Sequence, residues 1–262
     1  MNESHGRLPA RWSWPRPGSL LTFVALLAFL AWSLAMLKIR PGELWDGFPA
    51  MLEVLGQMRP NWDRFVPISW RMLETLQMAL VGCAIGVVLS VPVAVLAAKN
   101  HAPNRLVHAL TRGLVTFVRT VPDLVWALLF IVWVGLGPFA GVLTLVVETI
   151  GFCGRFFADA FEETDQGPSE ALTAMGARNV SVFACATLPA ALPAMTNTAL
   201  FAVEKAVRAS VVLGLVGAGG IGVELKTAME MFQSDRASMI IAYVFAMVFA
   251  VERLSGWLRS RI

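Results

Sequence analysis

At 262 residues, 57% hydrophobic and only 15% charged, the chain departs in both directions from soluble domains, which run about 45–50% apolar and about 25% charged. With a mean hydropathy of +0.67, most of the sequence has no use as a soluble core, and the length fits one membrane domain with no stretch over for a separate soluble one. The net charge of +3 is mild, and nothing in its placement points to nucleic acid.

From the N-terminus, Arg7, Arg11 and Arg16 precede an apolar run from Leu20 to Leu37. That run is longer than a signal-peptide core and no Ala-x-Ala site follows it, so it is expected to stay as a first span. Long apolar runs predict about six helices, over 19–37, 73–97, 113–134, 138–156, 192–216 and 237–258. Backbone groups in hydrocarbon must be satisfied within the segment, and the runs are too long for barrel strands, so the expected fold class is an all-α polytopic membrane protein. Tyr occurs once and Trp nine times; Trp32, Trp70 and Trp257 lie near span ends, as in an aromatic belt. Cys83, Cys153 and Cys185 show no ligand or disulfide spacing and read as small buried hydrophobes. His5, His101 and His108 are isolated in polar segments, and no metal site is expected.

Positive charge orients the spans. Arg7, Arg11 and Arg16, then Lys99, Arg105 and Arg112, then Arg253, Arg259 and Arg261 fall on one side if the span number is even, and that side becomes the cytoplasm. Both termini are then cytoplasmic. The opposing feature is the outer segment 38–71, which holds Lys38, Arg40, Arg59, Arg64 and Arg71. Within it Leu44, Phe48, Met51, Leu52 and Leu55 recur at helical spacing, either for a helix along the interface or for one packed on the bundle. The largest cytoplasmic loop runs from about Arg155 to Pro189 and contains Asp159, Glu162, Glu163, Asp165 and Glu170.

That loop contains Glu170-Ala171-Leu172-Thr173-Ala174-Met175-Gly176, followed by Leu188-Pro189. Physically it predicts a short exposed helix. Asp165 or Ser169 can cap its start, Glu170 suits the positive helix end, and Gly176 can take the left-handed turn that stops it. Ala171 and Ala174 leave one face smooth enough for a partner to approach closely.

This pattern resembles the EAA motif of bacterial ABC importer permeases. Glu170, Ala171, Gly176, Leu188 and Pro189 match, while Leu172 replaces the second Ala and Ala186 the Ile. Glu74–Met78, Arg119–Ala127, Val134–Gly141, Val207–Ser210 and Leu213–Gly222 are similar to stretches of phosphonate importer permeases, whose relatives also serve phosphite and hypophosphite. The resemblance covers the chain from about residue 73 to the last span. It implies a type I ABC importer fold and a non-enzymatic permease subunit of the bacterial inner membrane, working as a homodimer. It further implies two ABC ATPase subunits docked on the Glu170–Gly176 helix, a periplasmic substrate-binding protein, and a phosphorus oxyanion as cargo. No Walker lysine motif occurs here, so ATP and Mg belong to the partner ATPase and no cofactor is expected on this chain. The chain then divides into a cytoplasmic tail 1–18, a first span and interfacial segment 19–72, a core 73–258 with the coupling loop 157–190, and a tail 259–262.

Gly217, Gly219, Gly220 and Gly222 satisfy the spacing of a dinucleotide loop but follow a span rather than a strand. They are expected in an outer loop, as a gate or binding-protein contact, or simply as flexible chain. Charges inside spans are costly, so Glu148, Glu204, Lys205 and Arg208 should face the interior, a subunit contact or water. Glu204 and Arg208, four residues apart, can pair structurally, or Arg208 can line the path of an anion. Arg119 and Asp123 flank Pro122 and are expected to orient the third span. The rival reading is an ion-coupled secondary anion carrier with Glu148 or Glu204 as relay.

Overall fold

The computed structural model describes residues 17–37, 41–58 and 65–261. The N-terminal arginines Arg7, Arg11 and Arg16, the basic residues Lys38, Arg40, Arg59 and Arg64 of the next segment, and His5 lie outside the described residues. All the regular structure described is helical, as the need to satisfy backbone groups without water requires. By internal contacts the chain divides into Met1–Leu55 and Gly56–Ile262.

The first unit contains α1 (Pro17–Met36) and most of α2 (Pro41–Gln57). None of the apolar window of α1 is buried. A helix apolar on every side and bare on every side belongs in hydrocarbon. On α2 the apolar stripe residues Phe48, Met51, Leu52 and Leu55 are exposed.

The second unit is built on α3 (Phe65–Ala97) and α6 (Pro138–Glu163), which pack along one another. Their closeness comes from small residues. A Cβ on Gly82 would stand 2.7 Å from Leu145 Cβ, and one on Gly86 would stand 3.0 Å from the Val146 carbonyl. Glycines four apart let two helix backbones approach where lipid offers no hydrophobic drive. Ser90, fully buried, returns its hydroxyl to the Gly86 carbonyl at 2.6 Å. The third core helix, α9 (Leu188–Leu215), packs on both α3 and α6. A glycine loop and α10 (Ile221–Glu230) link it to α11 (Ser234–Arg259).

One expected span is broken. Residues 113–134 divide into α4 (Arg105–Thr120) and α5 (Asp123–Val134), bent by 90°. Val121 is extended at φ −75, ψ 123, the conformation a following proline favours. The polar residues Arg105, His108, Arg112, Thr116 and Arg119 make α4 amphipathic, so residues 113–120 belong to a half-polar helix and the apolar run begins only at α5.

By length and apolarity α1, α3, α6 and α11 can cross a bilayer, and the bent α4–α5 pair makes a fifth candidate. At 28 residues α9 is also long enough to cross, but Asn197, Glu204, Lys205 and Arg208 lower its apolarity. Between α6 and α9 the chain forms α7 (Gly167–Ala174), α8 (Asn179–Val182) and a π-helical turn, Phe183–Thr187. Cys83 and Cys153 are buried as expected. Cys185, on the outer face of that π turn, is exposed and corrects the expectation for it.

Candidate functional site

The site begins where α6 ends. Asp165 Oδ1 accepts the Gly167 amide at 3.0 Å and Pro168 sits in the first turn of α7, where its missing N–H is no loss. Neither expected residue is the N-cap, which is Gln166; Asp165 precedes it and receives the first helical amide, and Ser169 lies within the helix, its carbonyl accepting the Thr173 hydroxyl at 2.8 Å. Glu170 stands in the first turn. Gly176 takes φ +81, and the amides of Gly176 and Ala177 close the helix on the carbonyls of Thr173 and Leu172 at 3.0 Å each. Only glycine enters that left-handed region without strain.

Glu170, Ala171, Thr173 and Ala174 are exposed, and the neighbouring Met175 and Val180 are 75% and 77% exposed. Leu172 and Ser169 turn inward. Leu188 and Pro189 open α9 immediately after the π turn. Within that turn Phe183 packs edge-on against Phe161 of α6 and His101 of the α3–α4 loop, each at 5.2 Å between ring centroids. This cluster ties the π turn that precedes Leu188 to α6 and the α3–α4 loop, and α7 adjoins the same turn. A cavity of about 630 Å³ lies between α7 and the α3–α4 loop, with Glu170, Ser169, Thr173, Asn100 and His101 on its walls. Burial pushes the His101 imidazole below its usual protonation range.

The same end of α6 is clamped by Arg112 of α4. Its Nη1 meets Asp159 at 2.9 Å, its Nη2 meets Glu162 at 2.8 Å, and its Nε donates to the Ala97 carbonyl at 2.9 Å. Arg155 shares Asp159 at 2.9 Å, and the Lys99 amide donates to Glu162 at 2.8 Å. This clamp was not singled out from the sequence. Arg105, Arg112 and Arg119 recur every seven residues, and that spacing was the available signal for a basic face on α4.

The charges inside the spans separate into two groups. Lys205 of α9 forms an ion pair with Glu148 of α6 at 2.7 Å. Asp123, at the start of α5, brings its carboxyl close enough to Glu148 to interact with it. Arg119 lines the same cavity, of about 410 Å³, as Asp123, Glu148 and Lys205. The expected Glu204–Arg208 pair does not form. Glu204 pairs with Arg259 and Arg208 pairs with Glu252 at 2.9 Å, both partners on α11. Both residues face α11, which offers each a partner across the helix packing. Arg208 is not among the residues that line the Lys205 cavity. Arg119 and Asp123, separated by the bend, form no ion pair with each other among the described pairs, and both line the cavity.

The glycine loop lies at the other end of α6 and is packed, not slack. Gly219, Gly220 and Gly222 are buried, and Gly217 is half-buried. At φ +87 Gly219 abuts the Pro138 nitrogen, where a Cβ would come to 2.8 Å. A Cβ on Gly220 would strike the Thr75 hydroxyl, and one on Gly222 the Val211 carbonyl. The Gly137 amide donates to the Gly217 carbonyl at 3.1 Å. These glycines serve close approach between α9, α6 and α3, which corrects the expectation of a flexible loop and leaves Gly217 as the one of the four near the surface. Around them Arg71 meets Glu74 at 2.8 Å and Glu224 at 3.6 Å, and Arg236 also pairs with Glu224.

Residues 90–262 match the family described as binding-protein-dependent transport system inner membrane component. The chain is 35% identical over 248 residues to the phosphite transport system permease protein PtxC of Stutzerimonas stutzeri, covering 94% of this chain and 90% of that one. It is 38% identical over 229 residues to the phosphate-import permease protein PhnE of Mycolicibacterium smegmatis, covering 87% of this chain but spanning only 43% of that protein. Among solved structures, the inward-facing MetNI methionine ABC transporter aligns with TM-score 0.65 and 24% identity over 74% of this chain and 97% of the matched one. The fold is therefore that of type I ABC importer permeases. The chain is a multi-pass inner-membrane protein and belongs to the family of binding-protein-dependent transport system inner membrane components.

Proposed function

We propose that this chain is the permease subunit of an ATP-driven importer that carries a phosphorus oxyanion, of the phosphonate, phosphite or hypophosphite class, across the inner membrane. The cargo class rests on the relatives named for phosphite and phosphate import. The observation that carries the coupling is α7, an eight-residue helix exposed along the face that bears Glu170, Ala171 and Ala174. A helix stopped by a left-handed glycine, held at the end of a bundle and left uncovered along this face by the described residues, is suited to receive a partner. An ion-coupled carrier needs no such helix.

In this reading two copies of the chain form the pathway, and two ATPase subunits dock on α7. ATP and Mg act on those subunits and not on this chain. Glu170, Ala171 and Gly176 form the docking element, and Leu188 and Pro189 receive its motion at the start of α9. Movement of α7 passes to the adjoining π turn, which leads into α9 and whose Phe183 packs on Phe161 of α6. A binding protein delivers the anion at the opposite end of α6, near Gly217, where Gly219, Gly220 and Gly222 act as a packed outer gate. Both termini are cytoplasmic, and the core runs over 73–258. Lys205 and Glu148 line the path, while Glu204 and Arg208 tie α9 to α11.

The test is co-purification with the ATPase. The native chain is expected to retain the ATPase subunit, and Ala171→Arg, on the exposed face of α7, is expected to lose it while the membrane domain unfolds at the native temperature. Retention of the ATPase by that variant contradicts docking on α7.

A further inference from the structure

Two cavities meet about midway along α6. One, of about 410 Å³, is walled by Glu148, Phe152 and Phe201; the other, of about 480 Å³, by Leu124, Val212 and Leu213. Arg119, Asp123 and Lys205 line both and so form the partition between them. Arg119 is exposed and Lys205 is 40% exposed, and charges at membrane depth are costly unless they face water, a partner or a pathway. Their placement is what an anion moving from one space to the other would encounter.

The manner in which these cations are held matters more than their number. Arg119 has no carboxylate within ion-pair distance among the described residues; its guanidinium rests over the Phe156 ring at 5.7 Å. Lys205 has its ammonium over the Phe152 ring at 5.3 Å, and its side chain remains 40% exposed while it pairs with Glu148. An aromatic face steadies a cation without cancelling its net charge, so the field of Arg119 still reaches the cavity. Glu148 is 8% exposed, and neither of its carboxylate oxygens completes a well-aligned hydrogen bond. A carboxylate this deeply buried ordinarily has its bonds filled. Here its cationic partner is a lysine that also faces open space, while the Asp123 carboxyl stands close on another side.

We propose that Arg119 and Lys205 form a two-cation waypoint for a tetrahedral oxyanion, with Glu148 as the internal counter-ion that Lys205 leaves when the anion arrives. This rests on the importer reading above. In the empty site Lys205 is held by Glu148. An entering phosphite, phosphonate or phosphate accepts from the planar guanidinium fork of Arg119 through two oxygens and from the Lys205 ammonium through a third, whereas hypophosphite, with two oxygens, meets each cation through one. When the anion moves on, the Glu148 carboxylate recaptures Lys205. The internal counter-ion keeps the anion from being held too tightly to leave, as passage demands.

The experiment uses the chain assembled with its ATPase and binding protein in proteoliposomes, and reads uptake of phosphite, methylphosphonate or phosphate together with ATP hydrolysed. Arg119→Gln and Lys205→Met are each expected to lower uptake about tenfold, while ligand-loaded binding protein still stimulates hydrolysis as in the native assembly. The ATP consumed per anion then rises. Arg119→Lys keeps the charge and is expected to stay within about threefold of native uptake. Because Lys205→Met strands a buried carboxylate, Lys205→Met combined with Glu148→Gln is tested beside it, with the same loss expected. Uptake at the native ATP ratio in Arg119→Gln or in the double variant overturns the waypoint. So does an equal fall of uptake and hydrolysis in Arg119→Gln and Arg119→Lys, which marks a packing role. If the native assembly takes up none of the three anions, the importer reading itself fails and the waypoint with it.

Discussion

The Thr75 hydroxyl accepts a hydrogen bond from the Ile221 amide at 2.7 Å and donates one to the Arg71 carbonyl at 2.9 Å. Thr75 is fully buried, and the bond joins α3 to the first residue of α10 across 146 positions of sequence. An amide at a helix N-terminus has no intrahelical acceptor, so Thr75 satisfies a donor that nothing else reaches. Thr75→Val is expected to cost about 1–3 kcal/mol and Thr75→Ser much less, as read by thermal unfolding in detergent. Equal stability of the Val and Ser variants would contradict this role for the hydroxyl.

Gly86 sets the closeness of α3 and α6. A methyl there would stand 2.8 Å from Thr149 Cγ2 and 3.0 Å from the Val146 carbonyl, whereas one on Gly113 of α4 would meet nothing within 4 Å. Gly86→Ala is expected to destabilise by about 1–3 kcal/mol through overpacking. Gly113→Ala is expected to stabilise by about 0.5–1 kcal/mol through helix propensity. Unfolding midpoints of the two variants, measured side by side, should move in opposite directions.

Arg112 uses three different nitrogens on three acceptors, Ala97, Asp159 and Glu162. A lysine ammonium cannot reproduce that spread from one atom. Arg112→Lys is therefore expected to lose nearly as much stability as Arg112→Met, about 1–3 kcal/mol with the partly exposed partners at the low end. Arg155→Lys leaves the clamp on Glu162 intact and should cost far less. Full recovery of the native unfolding temperature by Arg112→Lys would argue against the three-way clamp.

His101 packs edge-on against Phe161 and Phe183, and its Nε2 is buried without a hydrogen-bond partner. Burial lowers its pKa, so the folded state prefers the neutral ring. The unfolded ring titrates near about 6.5; above that value this group adds no pH dependence. As pH falls below it, the unfolded chain takes the proton first and stability is lost until the folded value is passed. Hydrogen exchange over residues 179–187, corrected for its intrinsic rate, is expected to accelerate between pH 7.5 and 5.5. His101→Phe keeps the edge-on packing and should remove the acceleration.

Much of the bundle was legible in the sequence because membrane spans advertise themselves by length alone. Helices α3, α6 and α11 lie where their apolar runs place them, and α7 with its left-handed Gly176 follows from a cap, a short helix and a glycine in order. The bend at Pro122 was legible in principle, since Val121 precedes a proline and the α4 arginines share a face, but apolar Leu114, Val115 and Phe117 concealed it. The ion pairs were not legible. Glu204 and Arg208 have the spacing of a helical pair, yet each finds its partner on α11, and Lys205 finds Glu148 on another helix again. Spacing along one helix reports which charges share a face, and only packing decides what that face meets. The glycine loop misled for a related reason, because glycine permits both freedom and close approach and the sequence alone does not distinguish them.

The most direct measurement is ATP-dependent uptake of phosphite, methylphosphonate and phosphate, in turn, into proteoliposomes holding the chain with its ATPase and binding protein, with Gly176→Asp beside the native chain. Gly176 sits at φ +81 with nothing within 4 Å of an added Cβ, so the substitution strains the end of α7 without disturbing the bundle. The account predicts uptake of at least one of these anions that requires ATP, hydrolysis stimulated by the same anion, and loss of both in Gly176→Asp. Uptake that proceeds without ATP under an imposed proton gradient, or hydrolysis indifferent to every anion offered, would contradict it.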